Sequence, residues 1–201
     1  MFALVESGSI TKMLNGNQGI TIDGIQHPRA IYTLWTEAER NAIGIYTVEY
    51  DNSNKKDERW YINTDQSYAF GSGKVTATYG TATAKAHADA NFTAQDETDG
   101  LGTEGELKSR GLKYKLIQDV KLEAAIELAK TDWYVVRKSE ESTAIPSAIT
   151  THRRLVRSKA AAMETSITNA SDTPALETLY TYTRQEDGSM TRPLAEIPTL
   201  D

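Results

Sequence analysis

Residues 128–160, LAKTDWYVVRKSEESTAIPSAITTHRRLVRSKA, decide how the second half of this chain is read. They hold an aromatic pair, Trp133 and Tyr134, between two segments of helical periodicity. Upstream, Leu112, Leu116, Val120, Ala124 and Leu128 recur at every fourth residue, with Ile117 and Ile126 widening the stripe. Downstream, Ile149, Val156, Ala160, Met163 and Ile167 step along one helical face. The connector 139–145 is polar and short, which predicts antiparallel neighbours rather than a long crossover. Pro146 suits the first turn of the second helix, where its missing N–H is not needed. The pattern predicts a helical hairpin with Trp133 and Tyr134 plugging its corner.

Working toward the N-terminus, residues 81–103 (TATAKAHADANFTAQDETDGLGT) are Ala, Thr, Asp and Gly with little to bury, and read as a polar linker. Before them the pattern is that of strands. Short β-prone runs at 2–6, 9–13, 20–22, 31–35, 45–50, 59–63, 67–70 and 74–79 alternate with Ser-Gly, Asp-Gly and Asn-rich turn signals. Thr36 and Glu39 fit a capping box that starts one short helix, and Gly44 stands where a left-handed cap would end it. The expectation is a small antiparallel meander. Beyond the hairpin, Thr173 and Pro174 read as the start of a third short helix, with Leu176, Leu179 and Tyr180 facing inward. Residues 184–201 contain Pro193 and Pro198, and their apolar residues Leu194, Ile197 and Leu200 recur at threes, as in an extended arm.

The expected fold is therefore α+β. A β-rich domain at 1–80 and a linker at 81–103 precede a helical hairpin or three-helix bundle at 104–183 and an arm at 184–201. With 201 residues and no cysteine, the chain has no disulfide framework and no thiolate chemistry, and its compartment stays open. No apolar run is long enough to cross a bilayer, and MFALVESGSI at the start lacks a basic region followed by an apolar core. The net charge of −6 argues against a nucleic-acid groove. Residues 1–103 hold 8 Lys+Arg against 13 Asp+Glu, 104–170 hold 12 against 9, and 171–201 hold 2 against 6. A mildly basic helical segment thus lies between two acidic ones.

Sites for chemistry are sparse. Gly100-Leu-Gly102-Thr-Glu-Gly105 has the spacing of a dinucleotide loop, but QDETD before it cannot be a buried strand. His27, His87 and His152 are isolated from one another and from carboxylate pairs with ligand spacing. The run from Asp51 lacks the glycine and terminal glutamate of a calcium loop. No catalytic, cofactor or metal residues are assigned, and the chain is expected not to be an enzyme. The residues expected to bind partners are Trp133 and Tyr134, Arg153 and Arg157, which share a helix face, and Leu194 and Ile197 on the arm.

Thr131-Asp132-Trp133, then Arg137-Lys138, Ile145-Pro146 and the arginine-bearing helix to Lys159, resemble the helical domain of bacteriophage tail assembly chaperones. The run 27–48, HPRAIYTLWTEAERNAIGIYTV, resembles the β-rich leader of phage tail-fibre assembly proteins, through Trp35, Thr36, Glu39, Arg40, Gly44 and Ile45. The resemblance leaves the linker and the arm outside it. It implies a non-enzymatic protein that binds tail, tail-fibre or baseplate subunits in the host cytoplasm during virion assembly, without cofactor. The alternative it allows is a permanent structural part of the virion tail, and a homo-oligomer fits either.

Overall fold

A computed structural model describes residues 1–200, in two compact units, Met1–Thr83 and Ala84–Asp201. In the first unit, two-residue loops set the strand pairing. Ser7-Gly8 joins β1 (Phe2–Glu6) to β2 (Ser9–Leu14), and Asp23-Gly24 joins β3 (Ile20–Ile22) to β4 (Ile25–His27). After β5 (Ile45–Asp51) and the short β6 (Tyr61–Ile62), Ser72-Gly73 joins β7 (Gln66–Gly71) to β8 (Lys74–Tyr79). Both residues of each loop have φ between 50° and 79°. That left-handed pair is the hairpin turn whose twist matches its strands.

Five strands form one sheet in the order β2-β1-β5-β8-β7, curled into a half-barrel. The expected antiparallel meander is corrected here, because the sheet is mixed: β5 and β8 run parallel, with Val48 opposite Val75. The Ser72-Gly73 hairpin lays its second strand, not its first, beside β5, and that strand runs in the same direction as β5. One face gathers Ala3, Val5, Val48, Val75 and Ala77, and there Ile10 and Met13 of one edge strand meet Tyr68 and Phe70 of the other. The opposite face packs Leu4, Leu14 and Ile45 against Ile20, Ile22, Ile31 and Tyr32.

The run Ile31–Trp35, expected as a strand, begins instead with α1 (Ile31–Leu34). The carbonyls of Pro28, Arg29 and Ala30 accept the N–H groups of Ile31, Tyr32 and Thr33, which closes a helical turn. It buries the adjacent Ile31 and Tyr32, a pairing that strand alternation would separate. The capping box is present: Thr36 Oγ1 accepts from Glu39 N, and the Glu39 carboxylate accepts from Thr36 N at 2.7 Å, starting α2 (Glu37–Ala42). Gly44 follows with φ +78°, and a Cβ there would stand 2.6 Å from the Val5 carbonyl oxygen. Only glycine fits that crossing.

In the second unit the polar stretch is structured, so the expected linker is also corrected. After β9 (Thr83–Ala84), β10 (Ala90–Asn91) pairs with β11 (Leu107–Ser109) around α3 (Ala94–Thr98). Its polar residues satisfy backbone groups rather than filling a core. Thr93 and Asp96 make a second capping box, and Lys108 Nζ bonds Asp96. Asp89 takes Arg110 and the Gly111 N–H. The carbonyls of Ala86 and His87 accept from Leu112 and Lys113, two of the orphan donors at the start of α4 (Leu112–Ala129). Thr, Asp and Ala, read as linker composition, are here capping residues and small spacers.

α4 is followed by α5 (Asp132–Glu141), α6 (Ser147–Asn169) and α7 (Thr173–Tyr180). α4 and α6 are antiparallel neighbours: Lys113 reaches the Thr168 carbonyl at one end and Glu127 meets His152 at the other. Leu116, Val120 and Ala124 are buried on α4, and Ile149, Val156, Ala160, Met163 and Ile167 on α6. Ile126, expected to widen the inner stripe, faces out. The cap of α7 is Asp172, not Thr173; Thr173 is buried and donates its hydroxyl to the Lys85 carbonyl at 2.6 Å. The expected arm starts as a hairpin, β12 (Thr183–Arg184) with β13 (Met190–Thr191), and then folds back on this same unit.

Candidate protein-binding site

The corner between α4, α5 and α6 concentrates the polar chemistry of the helical unit. The inner stripe of α4 should continue with an apolar residue after Ala124; Glu127 stands there, buried. The stripe of α6 is likewise interrupted between Ile149 and Val156 by His152 and Arg153, both buried. Polar side chains of both helices therefore lie inside the helix pair.

Glu127 Oε1 accepts the Leu200 N–H at 2.8 Å and lies 3.1 Å from His152 Nε2, while Oε2 takes Lys130 Nζ. The Lys130 hydrogen bond, with help from the Leu200 amide, holds the Glu127 carboxyl below its usual range. A charged carboxylate thus anchors the backbone at Leu200. Arg153 Nη1 donates to the Leu128 carbonyl at 2.8 Å, to Thr131 Oγ1 at 2.7 Å and to Asp132 Oδ1 at 2.8 Å. It satisfies a terminal carbonyl of α4 and holds the break before α5, where a cation also suits the negative end of the helix.

Several expected binding residues take different places. Arg153 is buried structure, not a surface contact; Arg157 is exposed, with Nη1 3.4 Å from the Arg153 carbonyl. Leu194 and Ile197 are buried in their own unit: the Leu194 N–H donates to the Leu179 carbonyl at 3.0 Å, and the arm ends at Glu127. Arg192 lies over Tyr180 and Tyr182 at 5.5 and 5.1 Å, fastening the turn into that arm.

Trp133 was expected to plug the corner. It is 51% exposed, and α5 buries none of its residues. Thr131 and Arg153 fill the corner instead, and Arg153 ties the start of α5 to α6 through Asp132. The Trp133 ring stacks on Tyr134 with centroids 3.9 Å apart, and the Arg137 guanidinium lies 4.6 Å from the Trp133 ring and 5.4 Å from that of Tyr134. Val135 and Val136 are exposed beside them. This flat aromatic–cation group on a helix without core contacts has the composition of a protein-contact patch, which favours Trp, Tyr and Arg.

Gly100, Gly102 and Gly105 lie in the loop between α3 and β11, where no helix opens after them. Among the described residues no group of three or more His, Asp or Glu could hold a metal ion, and no helix is long and apolar enough to cross a membrane. No family model, curated protein or solved structure matches the chain.

Sequence reasoning missed Glu127 and the Arg153 lock. The signal was present: Glu127 follows Ala124 on the inner stripe of α4, and Arg153 falls between Ile149 and Val156 on that of α6. Read as surface charge, they pointed outward; read as positions, they point in.

Proposed function

We propose that this chain is a non-enzymatic bacteriophage tail protein that binds a tail, tail-fibre or baseplate subunit during virion assembly through α5. The observation that carries this is that α5 buries none of its residues: in the Asp-Trp segment that resembles tail assembly chaperones, Trp133, Val135 and Val136 are exposed and Tyr134 and Arg137 are half-buried. Trp133, Tyr134 and Arg137 form a preformed, rigid group, so docking there immobilises few rotamers. The buried Arg153 belongs to the support of this site rather than to its surface. An assembly factor and a lasting virion part separate by copy number. Quantitative mass spectrometry of infected-cell extracts and of purified particles should find the chain complexed with a tail subunit in extract and depleted in particles. A fixed copy number in finished particles would make it a permanent component, and absence from both tail complexes and particles would refute the proposal.

A further inference from the structure

α4 has two apolar faces. The inner one packs on α6; the outer one carries Leu122, Ile126 and Ala129, and the spacing continues into α5 with Trp133 and Val136. The steps are four, three, four and three, the repeat of a helix-pairing seam. Leu122, Ile126, Trp133 and Val136 are each more than half exposed, and Ala129 is exposed. Between the helices stand only Lys130 (φ −55°, ψ −23°) and Thr131 (φ −120°, ψ 7°), bridged by Thr131 N to Leu128 O and Tyr134 N to Thr131 O. The chain keeps its right-handed turn across the break. The seam is therefore one surface carried by two helices.

We infer that this seam pairs with the same seam of a second copy of the chain, antiparallel about a two-fold axis between Ile126 and Ala129. Three features select a second copy. In that register Leu122 faces Trp133 and Ile126 faces Ala129, so large residues meet small or flat ones at the centre, while Val136 meets Asp119, which is paired with Lys115 at 3.3 Å. At the ends, Lys115 comes opposite Glu140, and the two-fold makes that favourable contact twice. Finally, the exposed apolar area of the seam is roughly 400–500 Å² per chain. Two copies together bury at most about 800–1,000 Å², the size of a weak, transient contact. The pairing rests on the reading of α5 as a binding surface and adds its occupant in the absence of a tail subunit. The second copy covers Trp133 and Val136 until a client displaces it.

Sedimentation velocity of the full chain, alone, over about a hundredfold concentration range tests this. The average mass should rise from one chain toward two. Ile126→Glu should abolish the rise while leaving the helical signal and melting temperature unchanged, because the side chain points to water. Lys115→Glu removes both symmetry-related pairs and should weaken pairing about two- to thirtyfold, the range for two exposed ion pairs, and Lys115→Glu with Glu140→Lys should restore it. The chain has no cysteine, so a short bis-maleimide should link Lys115→Cys chains to Glu140→Cys chains but not Lys115→Cys chains to each other. A wild-type chain that stays monomeric throughout, or linkage among Lys115→Cys chains alone, overturns the inference. Neither result touches tail-subunit binding, which is read from the particle and extract measurements.

Discussion

Replacing Arg153 by methionine should destabilise the helical unit while leaving the half-barrel unit intact. Methionine retains the length and most of the volume of the aliphatic stem, so little cavity opens. What disappears is the Nη1 donor that serves the Leu128 carbonyl, the Thr131 hydroxyl and Asp132. The Leu128 carbonyl keeps a bond from the Thr131 hydroxyl at 3.0 Å, so it is weakened rather than orphaned. Thr131 is fully buried and loses its outside partner. Asp132 is 59% exposed in its side chain, so its ion pair with Arg153 contributes no more than about 1 kcal/mol. Charge-assisted bonds to buried acceptors are worth about 1.5–3 kcal/mol, which sets the total loss at about 2–3 kcal/mol. For a unit of this size that lowers the melting temperature by about 8–15 °C. Circular dichroism at the helical minimum is the assay, since the long helices all lie in this unit. Asp132→Asn is the control and should move the transition by only a few degrees. A fall no larger than the control's would mean that Arg153 is not the lock at the α4–α5 break.

Trp133→Ala should cost less than about 1.5 kcal/mol, well under the 3–5 kcal/mol of a buried tryptophan, because half the ring is already in water; a larger loss in thermal unfolding would return it to the core. Gly44→Ala should destabilise the half-barrel by about 1–3 kcal/mol, since φ +78° and the Val5 carbonyl both oppose a Cβ, and a chemical-denaturation midpoint equal to wild type would contradict this. Asp96 is held at about 2, from 3.8, first by its Lys108 hydrogen bond and then by the Thr93 amide and hydroxyl. A depressed carboxyl lends stability that is full above its unfolded value and lost as pH falls through the folded one, so the 90–109 hairpin should loosen between about pH 4 and pH 2. Amide exchange at Thr93 should show that step in wild type and not in Asp96→Asn. Limited proteolysis should spare residues 84–111, because their backbone groups are engaged by α4, α7 and each other; early cutting there would restore the linker.

Much of the fold could be read from periodicity and turn chemistry. The stripe on α6, the Thr36–Glu39 capping box, the left-handed Gly44 and the Ser-Gly and Asp-Gly hairpins all follow from residues close together in sequence. The failures share a cause: each depended on a partner far along the chain. The parallel pairing of β5 with β8 is a contact between residues such as Val48 and Val75, and no local signal distinguishes it from a meander. Residues 84–111 lack apolar weight, yet they are held by the first turn of α4 and by Thr173, whose hydroxyl finds Lys85 from the other end of the unit. Arg153 and Glu127 looked like surface charges because charge usually is solvated; their burial depends on Leu128, Thr131 and Leu200. Trp133 showed the reverse error. A large aromatic at a helix corner was taken for core, whereas the corner was already filled by a threonine and a guanidinium. In the arm, Leu194 and Ile197, expected to dock on a partner, are buried within this unit, where Leu194 bonds the Leu179 carbonyl.

The most direct test of the proposed role is co-purification. On the proposed reading, the chain would be co-expressed in turn with the tail, tail-fibre and baseplate proteins encoded alongside it, as wild type and as Trp133→Asp. The wild type should retain one of these subunits through purification, and Trp133→Asp should lose it while remaining folded. If no subunit is retained, or if Trp133→Asp retains it as well as wild type does, then α5 is not the surface through which this protein acts.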